Sequence, residues 1–183
     1  MGLADWLIIA FTLVWIGEFV LFRSRKKSDE DEQRSFPLIL SSVLLVILTA
    51  VLTREFEFWT YDILMIQMAG VFLYGAGIAL RYWGIIHLGK QFTRDVQVRD
   101  GDTLVGTGPY RLLRHPLYTG LLFTVLGFTV YTGSPIASFL FLFTALPALI
   151  QRIRGEEAVL IQAFGNRYRN WMKTRYRLIP FIY

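Results

Sequence analysis

Apolar residues run in five long blocks along the chain, and polar residues collect between them. The first block extends from about Leu3 to Phe22, with Asp5 and Glu18 as its charged members. The second covers about Phe36 to Thr53, the third Tyr61 to Leu88, the fourth Leu117 to Tyr131 and the fifth Pro135 to Gln151. Crossing a bilayer takes about 17–25 helical residues at about 1.5 Å each. The first three blocks satisfy that length. The last two are short and need their flanks, and they predict a tight helical hairpin through Tyr131 to Pro135. Ser134 is its expected N-cap and Pro135 its first helical residue. Pro147 is expected to kink the fifth helix. The pattern predicts an all-α, polytopic membrane protein with five transmembrane helices.

The intervening segments complete this organisation. Arg23 to Ser35 is polar and mixed in charge, and reads as a solvated linker. After the fifth block, Ile161, Phe164, Tyr168 and Trp171 recur at helical spacing, so a helix lying on the membrane surface or lidding a site is expected. Gly165 weakens its middle. Residues 1–60 thus read as an N-terminal transmembrane hairpin with a polar cytoplasmic loop. Residues 61–183 read as three transmembrane helices, a cytoplasmic loop over 89–116 and a C-terminal helix over 152–183. Gly70, Gly75 and Gly77 in the third block would let another helix approach closely.

Composition agrees with a membrane setting. Hydrophobic residues make up 54% of 183, more apolar surface than a soluble core of this size can cover. Lipid removes that requirement. The formal charge of +5 does not point to nucleic acid, because the basic residues flank the apolar blocks and face an anionic membrane surface. They cluster after the first, third and fifth blocks, and Arg54 alone falls in a loop of the other parity. That bias sets the N-terminus outside and the C-terminus in the cytoplasm. The chain has no cysteine, which excludes disulfides, thiol catalysis and cysteine-ligated metals. The N-terminus lacks the basic region of a secretory signal, and its apolar run is too long for one.

Candidate chemistry sits where charge meets an apolar block. Arg111, Arg114 and His115 open the fourth block, and Arg152, Arg154, Glu156 and Glu157 close the fifth. An antiparallel hairpin brings both clusters to the same side. Pro116 starts a helix and pushes His115 out of the helical region, which leaves free amides beside Arg114. That is a seat for a carboxylate or phosphate, and a forked guanidinium adds to it. Glu156 and Glu157 suit hydroxyls or an ammonium. Against this stands the plain reading: basic residues at cytoplasmic helix ends are expected from topology alone, and Arg152 and Glu156 are spaced for a simple salt bridge. His87 reads as an interfacial or packed histidine. Glu18 reads as pairing with, or snorkelling toward, Arg23 or its neighbours. Tyr110, Tyr118, Trp83 and Phe92 fit an aromatic belt. "GTGPY" lacks the dinucleotide fingerprint, no phosphate loop is present, and two histidines are too few for most metal sites.

"GPYRLLRHPLYTG", a helical hairpin, "RIRGEEAVLIQAFGNRYRNWM" and "RLIP" together resemble the isoprenylcysteine carboxyl methyltransferase family of integral membrane enzymes, and the wider group that includes phospholipid methyltransferases. The likeness covers about Leu88 to Pro180. It implies S-adenosyl-L-methionine as cofactor, bound in a cytoplasmic pocket of the C-terminal half, and a lipophilic or prenylated acceptor that arrives from the bilayer. It implies catalytic roles for Arg152 and Arg114. Cofactor contacts are implied for His115, Pro116, Tyr118, Glu156 and Glu157, with Tyr110, Val98 and Leu104 beside them. The segment Gln91 to Val98 would line the same cavity. Asp102 stands where the family pattern carries a histidine before its Leu-Val. No metal and no nucleic acid are implied.

The expected activity is methyl transfer to an isoprenylcysteine-like carboxylate. Such an acceptor is already ionised at neutral pH, so alignment and exclusion of water suffice. An amine acceptor would need a base. Phospholipid, amine or thiol methylation on the same scaffold is the alternative. An NADPH-dependent reductase of the sterol type and a scaffold whose charges only set topology are the others.

Overall fold

A computed structural model describes residues 2–22, 35–93, 98 and 101–183. The linker expected over Arg23 to Ser35 lies almost wholly outside the described residues, as does Arg23, the anticipated neighbour of Glu18. Among the described residues the long regular elements are all helices: α1 Leu3–Leu21, α2 Ser35–Glu55, α3 Leu64–Leu88, α4 Pro116–Tyr131, α5 Pro135–Phe143, α6 Ala145–Phe164 and α7 Asn166–Met172. Short 3₁₀ turns occupy Gly89–Gln91 and Gly108–Arg111.

Four helical stretches are long and apolar enough to cross a membrane: Leu3–Leu21, Pro37–Glu55, Leu64–Gln91 and Pro135–Phe164. The fourth apolar block forms α4, which has 16 residues and falls short of that length. α4 lies antiparallel against α3 along a seam of glycines. A Cβ on Gly70 would stand 2.8 Å from the Gly127 carbonyl oxygen, and one on Gly77 would stand 2.6 Å from that of Gly120. The seven-residue spacing on both helices keeps the two pairs on one seam. Gly75 faces α1 instead, 2.8 Å from the Phe11 ring by the same measure.

The hairpin turn forms as the sequence predicts. Ser134 Oγ accepts from the Ala137 amide at 3.1 Å, Pro135 follows, and Thr53 on α2 donates to Ser134 Oγ at 2.7 Å. The kink expected at Pro147 appears as a break one turn earlier, at Thr144 (φ −119°, ψ −66°). Pro147 has no N–H for the Phe143 carbonyl, and its ring crowds that oxygen. The helix expected over 152–183 is interrupted. Gly165, at φ +56°, ends α6 with its amide on the Ile161 carbonyl. α7 then runs only to Met172, and the remaining chain turns back toward α4. There Tyr176 bridges the residues on either side of Leu113, its carbonyl accepting from Arg114 N at 2.8 Å and its amide donating to Leu112 O at 2.9 Å.

Two polar layers sit at opposite ends of the bundle. At one end Asp5 accepts from Arg54 at 3.1 Å and from the Tyr131 hydroxyl, joining α1, α2 and α4. The Arg54 guanidinium lies 4.6 Å over the Tyr131 ring. The one arginine of opposite parity is thus a clamp between helices. At the other end lie Glu18, Arg81, His115 and Glu156.

Candidate active site

The local chain at the start of α4 determines the site. His115 caps the helix with φ −128° and ψ 62°, and Pro116 follows at the first helical position. The His115 side chain is turned inward, 4% exposed. Its Nε2 is 3.3 Å from Glu157 Oε1 and its Nδ1 is 3.6 Å from Glu156 Oε1. Burial opposes the imidazolium, but hydrogen bonds to Glu156 and Glu157 and their charges outweigh it, holding His115 above its ordinary value.

Glu157 is the hub of this cluster. Arg114 Nη1 donates to it at 2.7 Å, Arg177 Nη2 at 2.7 Å and Arg177 Nε at 3.2 Å. The anion expected against Arg114 and His115 is therefore, in the first instance, the protein's own carboxylate. Tyr118, one turn into α4, joins the second pair: its hydroxyl accepts from Arg152 Nε at 3.1 Å and donates to Glu156 Oε2 at 2.6 Å. The simple Arg152–Glu156 pair suggested by spacing is bridged by this tyrosine. Arg111 and Arg154, grouped with these residues on sequence, are exposed and stand apart from the cavity.

A cavity of about 500 Å³ opens beside the cluster. Its charged end includes Arg114, His115, Tyr118, Arg152 and Glu156, and Tyr110, Val98 and Leu104 also face it. Pro116 and Glu157, expected as direct contacts, do not line it. Pro116 sets the backbone, and Glu157 is spent on Arg114, Arg177 and His115. Of the segment Gln91 to Val98, Gln91, Phe92, Thr93 and Val98 line the cavity, and 94–97 lie outside the described residues. Asp102 lines it too. His87 is packed rather than lining: Gly108, at φ +55°, lies so close that a Cβ would come within 2.4 Å of the imidazole.

The other end of the cavity is apolar and comes from α1 and α2. Ile16, Phe19, Leu40 and Leu44 line it, yet each is exposed on the outer surface. α1 packs on α3, whereas α2 packs on α4, α5 and α6, so among the described residues these two helices share no extended contact. The cavity opens sideways between them.

Several lining residues were missed on sequence. Arg81 on α3 holds the fully buried Glu18 of α1 with a two-pronged contact, Nε to Oε2 at 2.8 Å, and donates to the Leu117 carbonyl at 3.2 Å. Glu18 does not snorkel outward; it turns inward to α3. The available signal was an opposite-charge pair inside two apolar blocks, which lipid tolerates only when the charges meet or serve a site. Tyr168 and Trp171 of α7 also line the cavity. Trp15 Nε1, Arg114 Nε, the Tyr168 hydroxyl and Trp171 Nε1 are buried without a hydrogen-bond partner, and all four residues face this cavity.

A bundle of apolar, bilayer-length helices, with a cavity that runs from a charged end to an apolar end between α1 and α2, defines an integral membrane protein. Comparison with known proteins agrees. Residues 68–162 match the isoprenylcysteine carboxyl methyltransferase (ICMT) family, and the chain belongs to that family. It is a methyltransferase. The chain is 28% identical to a probable protein-S-isoprenylcysteine O-methyltransferase of Oryza sativa subsp. indica, over 97% of its own length and 96% of the relative's. It is 31% identical to the protein-S-isoprenylcysteine O-methyltransferase of Rattus norvegicus over 71% of this chain and 47% of that one. The solved structure of a eukaryotic intramembrane Ras methyltransferase, ICMT, superposes with a TM-score of 0.68 at 21% identity, covering 95% of this chain. This chain spans 63% of the length of that solved chain.

Proposed function

We propose that this protein transfers a methyl group from S-adenosyl-L-methionine to the carboxylate of an isoprenylcysteine-like acceptor delivered from the bilayer. The observation that carries the reading is that a charged end and an apolar end between α1 and α2 belong to the same cavity. The cofactor supplies an activated methyl group on a sulfonium, together with a carboxylate, an ammonium and a ribose diol. Its charged and polar groups suit the charged end, lined by Arg114, His115, Tyr118, Arg152 and Glu156. Glu156, facing the cavity, suits the ammonium or the diol, and Tyr118 fixes its orientation.

The acceptor's prenyl chain suits the arm between α1 and α2. Its carboxylate would meet Arg152 and Arg114, the candidate catalytic groups, which align the nucleophile and offset its charge. Tyr110, Val98, Leu104 and His115 enclose the cofactor. Pro116 and Glu157 act one step back, by holding the α4 terminus and Arg114. Residues 61–183 carry these polar groups, and residues 1–60 contribute the apolar arm. The basic bias of the loops supports a charged end that faces the cytoplasm, an N-terminus outside and α4 as a fifth crossing.

Calorimetric binding of S-adenosylmethionine and S-adenosylhomocysteine to detergent-purified protein tests the cofactor. Transfer to a farnesylcysteine analogue tests the acceptor. Arg152→Ala is expected to abolish transfer while leaving S-adenosylhomocysteine binding within about threefold. Equal loss of both would remove Arg152 from the acceptor side, and no cofactor binding by folded protein would refute the reading.

A further inference from the structure

The strap that follows α7 does more than return to α4. Leu178, 2% exposed, belongs to the apolar core that α2, α4, α5 and α6 build, and Ile179 packs against that core. The Leu178 carbonyl accepts from the Thr119 hydroxyl at 2.7 Å, one turn into α4. α2 and the stretch formed by α5 and α6 have membrane-crossing length and hydropathy. This part of the strap therefore lies alongside spanning helices.

A closed turn comes next. The Tyr183 main-chain oxygen accepts from the Leu178 amide at 2.8 Å and from the Ile179 amide at 3.0 Å, and the Tyr183 amide donates back to the Ile179 carbonyl at 3.0 Å. The Arg177 guanidinium covers the Tyr183 ring at 4.9 Å. Phe181 sits in this turn at φ +65°, a left-handed conformation that residues other than glycine seldom adopt. The turn presents its two large apolar side chains outward: Phe181 is 86% exposed and Ile182 78%. Phe72, within the spanning helix α3, is 77% exposed. Such exposure is ordinary where lipid is the solvent and unfavourable in water. The charge around the turn has one sign. From Ala158 to Tyr183 the chain carries Arg167, Arg169, Lys173, Arg175 and Arg177 and no acidic residue. A basic segment ending in exposed aromatic and aliphatic side chains matches the boundary between anionic headgroups and acyl chains.

We propose that Phe181 and Ile182 insert into the bilayer on the side of the charged cluster, below the anionic headgroups that the basic segment attracts, and so anchor the strap to the membrane. The strap brings Arg175 to the Tyr110 carbonyl and Arg177 to Glu157, each at 2.7 Å. Lipid thereby holds the chain that closes one side of the site, whichever acceptor is methylated.

The chain has no cysteine, so a single introduced one can be labelled alone. Ile182→Cys, Phe139→Cys and Asn170→Cys are each given a nitroxide and reconstituted, as the full chain, into vesicles of phosphatidylcholine and phosphatidylglycerol. Phe139 is exposed on the apolar helix α5 and serves as the lipid reference, and Asn170, exposed on α7, serves as the aqueous one. Electron paramagnetic resonance power saturation reads access to oxygen, which concentrates in lipid, against a nickel chelate, which stays in water. The label at position 182 is expected to follow the Phe139 site, with an oxygen-to-nickel ratio about tenfold above that at the Asn170 site. A ratio equal to that at the Asn170 site places the turn in water and overturns the proposal. Poor access to both reagents means that another protein surface covers the turn, and overturns it as well. No methyl donor or acceptor enters the measurement, so its failure and that of the proposed activity are distinguishable.

Discussion

Arg177 grips Glu157 with both ends of its guanidinium, Nη2 on Oε2 at 2.7 Å and Nε on Oε1 at 3.2 Å. It reaches across from the C-terminal strap to α6, and the carboxylate it holds also orients Arg114 and His115. Arg177 does not line the cavity, so it acts through those partners. Arg177→Ala is expected to cost about 2 kcal/mol of stability and to weaken S-adenosylhomocysteine binding about tenfold. Arg177→Lys should recover part of the stability but less of the affinity, because an ammonium cannot form the fork. Thermal melts and calorimetry on the same preparations check this; unchanged affinity in Arg177→Ala would separate the strap from the site.

The Glu18–Arg81 pair should show strong non-additivity. The Glu18 side chain is 0% exposed and that of Arg81 14%. Removing one partner leaves a charge uncompensated in an apolar bundle, so Glu18→Leu is expected to lose about 3–5 kcal/mol. The double variant Glu18→Leu, Arg81→Met should regain most of that stability. It should not regain methyl transfer, because Arg81 lines the cavity. Full additivity in a double-mutant cycle would refute the pairing.

Glycine positions give a sharp contrast. Gly77→Ala puts a Cβ 2.6 Å from the Gly120 carbonyl oxygen, and neither helix can retreat without opening the seam. A loss of about 1–3 kcal/mol is expected. Gly155→Ala, on the exposed side of α6 with nothing within 4 Å, should instead gain about 0.5–1 kcal/mol from helix propensity. Melting temperatures moving in the same direction for both would contradict the α3–α4 seam.

His115 gives a pH signature. Its value is raised in the folded protein, so the folded state holds the proton more tightly than the unfolded chain. The stabilisation is fully present below the ordinary histidine value of about 6.5 and is lost as pH rises through the raised one. Melting temperatures of the wild type should therefore fall relative to those of His115→Gln as pH is raised above neutrality. Parallel curves for the two proteins would mean that His115 is not charged between its two glutamates.

Much of this architecture was legible in the pattern of residues. Apolar blocks of bilayer length, Ser134 before Pro135, and basic clusters at alternate ends all express local rules, so the helices, the hairpin and the meeting of its two charged clusters follow from short-range order. Gly165 and Pro147 act locally as well, although a proline's effect falls on the carbonyl a turn before it, which moved the break to Thr144. Which groups would be consumed by one another could not be read this way. Arg114 and Glu157 are 43 residues apart, and Glu18 and Arg81 are 63 apart. A guanidinium or carboxylate in low dielectric must find a partner, and the partner available depends on how helices pack. Tertiary structure therefore decided that Glu157 serves Arg114 and Arg177, that Glu156 faces the cavity, and that Arg81 and Tyr168 belong to its wall. It also decided that α1 and α2 stand apart at its mouth, since hydropathy gives each helix a lipid-facing side but not a neighbour.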